Sequence, residues 1–477
     1  MTNYRLQTYP AFWAATALLI LASARGALAA EPEAPAAPSL TSKMMLQDIE
    51  LVRRKYLPAE MAYTPATRIQ ADALLTALER RAKTLTPAEF AVGLSQVGAL
   101  TDNAHSGLRL SDPRVKPAAR LPLHFNWFPD ALIVARATGA AADLAGARVL
   151  RIEGRSPEAL FAGLKVLEGG TDAYRKQWIT EWMESQGVLH ALGLAESPDS
   201  LSMTLRLAGG QVIDRKVAMV ATASLPPTAR KDRLWSPEPI AGEHDWATAI
   251  AADHLPVYLS DANTPFRLLD LPEFSALYVQ FRSNEDEEGF PIAAFLKSVL
   301  DKVAVARPAR LIVDLRFDIG GNLLTSLAFM RQLAQSIPGK TFVLVGPYTF
   351  SAGIISAAAL KKSGGENVIV VGEEVGDRPH FWSEGNLIDL PNSHYSMRFT
   401  DGQFDLQDGC TGEPGCMDDH YPIDVNLASL EPTLAAPLTS AAYFAKRDPA
   451  LEAIAQFLHC AAATSNAPGA APGTTRP

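Results

Sequence analysis

The first part of the chain alternates apolar and polar residues with the period of an α-helix. From residue 41 onward, apolar side chains recur three or four positions apart, as at Met45 and Ile49. This spacing places them on one face of a helix. Pro58 and Pro65 interrupt the pattern and divide it into separate helices. We predict a small helical module over residues 41–115.

The pattern then changes to short runs of β-forming residues. These runs predict strands at 121–125, 131–135, 148–152, 201–207 and 212–220. Ser156 before Pro157 predicts the start of one helix, and 173–194 has the composition of a second helical stretch. We predict a small β domain with a helical insert over residues 120–222, followed by a connector, rich in Pro, Asp and Ala, over 223–265.

From residue 266 apolar strands alternate with helices. The predicted strands are 276–281, 311–315, 342–345 and 368–371, and the predicted helices are 290–305, 323–337 and 352–362. Nearly continuous Val, Ile and Leu in the strands indicates a sheet that is covered on both faces. We predict an α/β domain over 266–460. The last stretch, 461–477, is rich in Ala, Pro, Gly and Thr and is predicted to be disordered.

The first 29 residues have the composition of an export signal. Arg5 precedes the apolar run AFWAATALLILA, and an A-x-A cleavage pattern ends at Ala29. The alternative is an uncleaved membrane anchor, but the run is shorter than the roughly 20 residues that a span needs. We predict a signal peptide over 1–29, a linker over 30–40, a periplasmic or secreted location, and no stable membrane span after signal cleavage.

Charge and cysteine content narrow the classes of function. The net charge is −9 and no block of Lys and Arg stands out, so we expect no nucleic-acid partner. Cys410 and Cys416 flank a turn-forming stretch, TGEPG, and we predict a disulfide between them in an oxidising compartment. Their spacing is poor for zinc, and no zinc-protease histidine motif is present. We expect neither a metal nor a cofactor.

Ser351 lies where a predicted strand passes into a predicted helix. A hydroxyl there faces backbone amides that have no partner within the helix. This position suits a nucleophile, because the amide of Ala352 can stabilise the oxyanion of a tetrahedral intermediate. The alternative is an ordinary helix-capping serine.

A second segment has the same strand-to-helix character. The strand LIVDL is followed by Gly320 and Gly321, and adjacent glycines let backbone amides approach a ligand closely. The loop is therefore a second candidate source of oxyanion donors, and the alternative is a simple turn. Ser351 and the two glycines together predict a site for acyl transfer.

Four segments in this order resemble the tail-specific (C-terminal processing) serine peptidase family: LIVDLRFDIGGN, YTFSAGIISAAALKKSGG, VIVVGEEVG and YPIDV. The resemblance implies an α/β protease domain of the ClpP/crotonase type, preceded by a helical module and a PDZ-like β domain. It also implies a peptide or protein substrate. It places the nucleophile at Ser351 and the oxyanion donors at Gly320, Gly321 and Ala352.

The activating base departs from the commonest pattern of this family. The turn that carries a lysine in the bacterial processing peptidases reads Gly-Glu-Glu-Val-Gly here, and no lysine occurs between Lys362 and Lys446. The tricorn-like branch uses an upstream histidine instead, and the resemblance places that base at His105. A neutral imidazole can take the proton of a serine hydroxyl. The rival histidines are His380, His394 and His420, and on generic grounds His105 could be an ordinary loop residue.

Among the predicted catalytic residues, the acidic residue that orients the histidine is the least well defined. By resemblance Asp418 is the first choice, with Asp419 and Glu413 as alternatives; each could equally be a solvated loop residue. The altered turn also leaves open a second function, a peptide-binding protein of the same fold that has lost catalysis.

Overall fold

The computed structural model describes residues 40–109, 119–197, 199–226, 230–421 and 423–465. The predicted signal peptide, nearly all of the linker and residues 466–477 lie outside this part of the chain. From Leu40 onward the chain forms one compact unit. None of its described helices has the length and apolarity needed to cross a membrane.

The first segment is helical, as its periodicity predicts. Its helices are α1 (Ser42–Leu51), a π-helical turn (Val52–Tyr56), α2 (Leu57–Ala59), α3 (Pro65–Arg81) and α4 (Pro87–Ala99). Thr41, Thr64 and Thr86 each form a capping box at a helix start, which satisfies backbone amides that lack a partner within the helix. Pro65 begins α3 rather than only interrupting a helix, because the first helical position needs no amide donor.

The β domain is a mostly antiparallel sheet with an inserted group of helices. Its elements are β1 (Gly107–Leu108), β2 (Ala119–Arg120), β3 (Leu123–Phe128), β4 (Ala131–Ala137), β5 (Arg148–Ile152), α5 (Pro157–Leu164), α6 (Asp172–Trp178), α7 (Thr180–Met183), α8 (Gln186–Ala191), β6 (Ser200–Arg206), β7 (Val212–Ala218), β8 (Val220–Ala221) and β9 (Ala247–Thr248). The main sheet has the order β3-β4-β5-β6-β7, with β9 on β4, while β1, β2 and β8 pair outside it. Ser156 caps α5 as the sequence predicts.

The helical segment and the β domain share one hydrophobic core. Val52, Leu75 and Phe90 from the helices belong to the same buried cluster as Val149 and Leu201 from the sheet. The predicted boundary between the two modules is therefore not a boundary between two cores.

A buried charge cluster joins the β domain to the connector. His124 on β3 lies between two carboxylates, with Nδ1 3.1 Å from Glu184 and Nε2 3.3 Å from Glu243. Arg136 donates to Glu243 over 2.7 Å, and Arg120 lies 3.8 Å from Glu184. Burial alone would lower the pKa of His124, but the two carboxylates outweigh burial and raise it.

We expect His124→Leu to lower the free energy of unfolding by about 3 kcal/mol, because it leaves buried carboxylates without one of their cations. Because the folded-state pKa is raised, the stabilisation is complete below the ordinary pKa of about 6.5 and is lost as the pH rises through the raised value. Urea unfolding across this range measures it, with His244→Leu, at an exposed connector histidine, as the control. Equal pH dependence in wild type and His124→Leu would contradict this role.

The second half of the chain forms the predicted α/β layers. Its first elements are β10 (Phe266–Leu271), β11 (Ala276–Phe281), α9 (Ile292–Ala306), β12 (Arg310–Asp314), α10 (Leu323–Gln335), β13 (Thr341–Val345), α11 (Ala352–Gly364) and β14 (Val368–Gly372). Strands β11 to β14 are parallel, and β10 is antiparallel at one edge.

Two small separate sheets follow along the chain. They contain β15 (His380–Ser383), β16 (Asn386–Asp389), β17 (Ser396–Phe399) and β18 (Gly402–Asp405). Strand β17 pairs with β16 on one side and with β1 on the other, and β15 pairs with β18. The loop after β18 contains the predicted disulfide between Cys410 and Cys416, so that prediction is confirmed.

The last elements close the sheet and cover its second face. They are β19 (Leu434–Ala435), α12 (Ser440–Phe444) and α13 (Pro449–Ser465). Strand β19 pairs in parallel with β14. Helices α9, α10 and α11 pack on one face of the sheet, and α13 packs on the other through Ala450 and Ile454. The sheet is thus covered on both faces, as predicted. Helix α13 continues to Ser465, into the stretch that composition predicts to be disordered.

Candidate active site

Ser351 lies between β13 and α11 in a backbone conformation that is rare for a residue with a side chain. Its φ is +54° and its ψ is −124°, and residues held in such regions often belong to functional sites. Its hydroxyl makes no capping hydrogen bond to the helix, which removes the simple capping role. The preceding loop is fixed by Thr349, whose hydroxyl donates to the Leu315 carbonyl over 2.7 Å and accepts from the Gly346 amide over 2.9 Å.

The double-glycine loop lies directly against Ser351. The Phe350 amide donates to the Asp318 carbonyl over 3.0 Å, which ties the two loops together. Gly320 has a φ of +94°, and a Cβ there would lie 2.7 Å from the Ser351 Cβ. No larger residue fits this approach without a shift of the backbone.

The free amides of the two loops are those of Gly321 and Ala352. The Gly320 amide already donates to Asp318 Oδ1 over 3.0 Å. Within the described residues, neither the Gly321 amide nor the Ala352 amide donates to an acceptor. Both residues line the cavity beside Ser351, where unpartnered amides are suited to bind an oxyanion.

A buried polar network holds the double-glycine loop in place. Both carboxylate oxygens of Asp318 accept from the Asn284 side-chain amide over 2.8 Å. The side-chain oxygen of Asn284, Oδ1, accepts from Ser326 over 2.6 Å and from Ser356 over 3.0 Å. Burial raises the pKa of Asp318 to about 7. The sequence analysis did not select Asn284, although it follows β11 at the sheet edge where the double-glycine loop begins.

His105 reaches the same cavity from the loop after α4. It lines the cavity with Ser351, Gly321 and Ala352, and only 3% of its surface is exposed. Its ring stacks on Phe350 with a centroid distance of 4.3 Å. The structure thus brings together the two residues that the sequence proposes as nucleophile and base, from distant parts of the chain.

The imidazole of His105 is neutral near pH 7. Burial, followed by the positive charges of Arg398 and Arg109, lowers its pKa well below the usual 6.5. Neither ring nitrogen has a hydrogen-bond partner within the described part of the chain. A neutral, unoccupied imidazole is the form that can accept the proton of a serine.

Asp377 is the carboxylate that faces His105. Its Oδ2 lies 3.9 Å from His105 Nδ1, both side chains are buried, and Oδ2 has no hydrogen bond to a described residue. Burial raises the pKa of Asp377 to about 7. It lies directly after the Gly-Glu-Glu-Val-Gly turn, and the Gly376 amide fixes this turn by donating to the Thr349 carbonyl over 2.8 Å.

Asp418 lies elsewhere. It lines a separate surface cavity with Asp408 and Asp424, beside the Cys410–Cys416 disulfide. Asp418 and these two sulfurs form the single group of three potential metal ligands within the described residues, and sulfurs joined in a disulfide are not available as thiolates. Of the alternative acids, Asp419 accepts from the Gly412 amide over 3.1 Å and Glu413 accepts weakly from Gln403 over 3.4 Å.

The rival histidines are also away from Ser351. None of His380, His394 and His420 lines the cavity that contains Ser351 and His105. His380 lies on β15 and its Nε2 is 2.8 Å from the Gln403 side-chain oxygen.

Residues from the helical insert hold the His105 loop. The Tyr174 hydroxyl donates to the Ala104 carbonyl over 3.2 Å. The Asp102 carboxylate accepts hydrogen bonds from two guanidinium groups, that of Arg175 over 2.6 Å and that of Arg378 over 2.8 Å. Because Arg378 directly follows Asp377, the ion pair between Arg378 and Asp102 fixes the His105 loop relative to the Asp377 carboxylate.

Comparison of folds places this architecture among known structures. No family model and no curated protein sequence matches the chain. Mature CPAF complexed with lactacystin aligns with a TM-score of 0.57 over 90% of this chain and all of CPAF. The chain has the fold of CPAF. The S499A mutant of CPAF gives a TM-score of 0.56 over 92% of this chain, and all of the mutant chain is covered. Sequence identity to CPAF is 13% and 12% in these two alignments, so the likeness to CPAF concerns the fold.

Proposed function

We propose that this chain is an exported serine peptidase that cleaves peptide or protein substrates through an acyl-enzyme at Ser351, with His105 as its base. The observation that carries the proposal is the meeting of Ser351, His105 and two unpartnered amides in one cavity. The chain shares its fold with CPAF, for which the structure of an S499A mutant is also known. This likeness agrees with the proposal. The use of histidine in place of lysine agrees with the tricorn-like branch of tail-specific peptidases.

The acidic member of the proposed triad is Asp377 rather than Asp418. Asp377 faces the Nδ1 atom of His105, which leaves Nε2 for the Ser351 hydroxyl. A carboxylate in this position holds the ring in the required tautomer and stabilises the imidazolium that forms during the reaction.

The reaction then follows the chemistry of acyl transfer. Ser351 Oγ bonds to the carbonyl carbon of the substrate while its proton passes to His105 Nε2, and the oxyanion is stabilised by the amides of Gly321 and Ala352. His105 returns the proton to the leaving amine as the C–N bond breaks. A water molecule then attacks the carbonyl carbon of the acyl-enzyme while its proton passes to His105. His105 returns this proton to Ser351 Oγ as the ester bond breaks, which releases the carboxylic acid and restores Ser351.

The β domain and the export signal complete the proposal. We propose that the β domain is PDZ-like and binds an extended segment of the substrate by strand addition. Within the part of the chain that the structure describes, the edge strand β7 pairs on one side only, with β6. The signal-like first 29 residues place the enzyme in a periplasm or outside the cell.

A second candidate function is peptide binding without catalysis. The observation that favours it is that neither nitrogen of His105 is hydrogen-bonded to a described residue, so the Ser351 hydroxyl is not held by its base in this structure. Catalytic hydrogen bonds often tighten only when substrate binds.

Peptide hydrolysis separates the two functions. Unstructured casein or a mixed fluorogenic peptide library is incubated with wild type and with Ser351→Ala, with Ser363→Ala at the far end of α11 as the control. The peptidase account expects cleavage by wild type and Ser363→Ala and none by Ser351→Ala. Equal turnover by wild type and Ser351→Ala would overturn it, and binding without cleavage by wild type would establish the second function.

A further inference from the structure

Two arginines lie side by side on the strand pair that leads away from His105. Strand β1 pairs with β17 in antiparallel register, with Gly107 opposite Arg398, and the Arg109 amide continues the ladder by donating to the Ser396 carbonyl over 3.0 Å. In such a ladder Arg109 and Arg398 are diagonal neighbours on one face, within reach of each other's long side chains.

Neither guanidinium forms an ion pair with a carboxylate of the described residues. Arg109 donates to the His105 carbonyl over 2.6 Å. Among the described residues, Arg398 donates only to the Glu384 carbonyl, over 3.1 and 3.4 Å. Within the described residues, no carboxylate oxygen lies within 4.0 Å of either group. Elsewhere the chain pairs its enclosed arginines with acids, as Arg136 with Glu243 and Arg316 with both Asp314 and Asp448.

Arg109 and Arg398 repel each other electrostatically, and a bound anion would relieve this repulsion. Burial, and then the charge of Arg109, lowers the pKa of Arg398 from its usual value. A carboxylate placed between two guanidinium groups receives several charge-assisted hydrogen bonds and removes this repulsion.

The position of the pair relates it to the reacting bond. Arg398 lines the same cavity as Ser351 and His105. Two acids, Glu285 and Glu384, also line this cavity. Glu285 lies beside Gly321 at the oxyanion loop, and Glu384 is exposed. Of the two arginines, Arg398 lines the cavity, and Arg109 lies beside it in the β1–β17 pairing. The charge of Glu384 acts in the opposite direction on Arg398 but does not offset burial and the charge of Arg109.

We infer that Arg398 and Arg109 bind a carboxylate of the substrate next to the scissile bond, so that the enzyme selects peptides that carry a carboxylate at that position. This inference rests on the proposed function and adds its specificity. The carboxylate has two sources, an acidic side chain or the C-terminus of the peptide.

The test uses paired fluorogenic peptides that carry Glu or Gln at each position around the cleaved bond, each made with a free and with an amidated C-terminus. We expect Glu to exceed Gln in kcat/KM by about 10- to 100-fold at one position, as for a charge-assisted pair. Arg398→Gln should reduce the Glu-to-Gln ratio of kcat/KM to about 1. Arg398→Lys should keep a ratio between that of Arg398→Gln and that of wild type. Arg206→Gln, at an exposed arginine on β6, should not change it. A preference for the free C-terminus instead would assign the arginines to the terminal carboxylate.

A binding measurement keeps the inference separate from the proposed function. The same peptides are titrated into Ser351→Ala and into Ser351→Ala combined with Arg398→Gln, and their fluorescence anisotropy is followed. Tighter binding of the carboxylate peptides, lost with Arg398, supports the arginine site even if wild type hydrolyses nothing. Hydrolysis by wild type with equal rates and equal binding for all pairs would overturn the arginine site and leave the peptidase standing.

Discussion

His105→Ala should lower kcat for peptide hydrolysis by about 10⁴- to 10⁶-fold, the range found when the base of a serine triad is removed. The physical reason is that a serine hydroxyl is a weak nucleophile until a neighbouring base takes its proton. His105 is the one histidine among the described residues that line the Ser351 cavity. Steady-state hydrolysis and single-turnover acylation measure the effect.

The rival histidine supplies the matched control for this variant. His380→Ala changes a residue on β15 that is bound to Gln403, and it should change kcat by less than about threefold, as for surface sites away from the reaction. Because the ring of His105 packs on Phe350, thermal unfolding of His105→Ala and His105→Gln must accompany the kinetics. A folded His105→Gln variant with wild-type kcat would remove His105 from the mechanism.

Asp377→Asn should lower kcat by about 10⁴-fold, the size of effect seen when the acid of a serine triad becomes an amide. The amide cannot stabilise the imidazolium, and it favours the wrong tautomer of the ring. Asp418→Asn is the matched control, because Asp418 lies in a separate cavity. Asp418→Asn should keep kcat within about threefold of wild type. A large loss in Asp418→Asn together with a small loss in Asp377→Asn would reverse our assignment.

The pH dependence of activity tests the same carboxylate independently. Burial raises the pKa of Asp377 to about 7, so below that pH Asp377 is protonated and has no negative charge to stabilise the imidazolium of His105. Activity of wild type should therefore rise as the pH increases through about 7. The residual activity of Asp377→Asn should lack this step, because the remaining base, His105, has a pKa well below 6.5. An unchanged step in Asp377→Asn would assign the titration to another group.

The layers of the α/β domain could be predicted because their pattern is local. Strands such as β13 are buried on both faces and therefore read as continuous apolar runs. Because a helix follows each strand, neighbouring strands run parallel. Helix α13, which packs on the sheet through Ile454, continues to Ser465, beyond residue 461, where composition alone predicts a disordered tail.

The nucleophile and its base could be proposed for different reasons. Ser351 carries a local signal, the passage from strand to helix, and its φ of +54° is a consequence of that turn. His105 carries no local signal of its own. It became a candidate only through the resemblance and the missing lysine, because residues so far apart in sequence meet only through tertiary packing.

The acidic residue illustrates what sequence alone leaves undecided. Asp377 and Asp418 both lie in loops rich in acids and turns, and burial is what distinguishes them. Asp377 is 4% exposed and faces His105, whereas Asp418 lies at a surface cavity. The supporting residue Asn284 was missed for a related reason, since its role depends on the side chains of three other residues, Asp318, Ser326 and Ser356, from separate segments.

The central claim is that Ser351 is a nucleophile, and covalent labelling tests it most directly. The purified protein is treated with a fluorophosphonate, digested and mapped by mass spectrometry, beside Ser351→Ala and His105→Ala. We predict one adduct on Ser351 in wild type, none in Ser351→Ala and slow formation in His105→Ala, with little change in thermal stability for Ser351→Ala. A folded wild-type protein that takes no label, or takes it on another residue, would contradict the account.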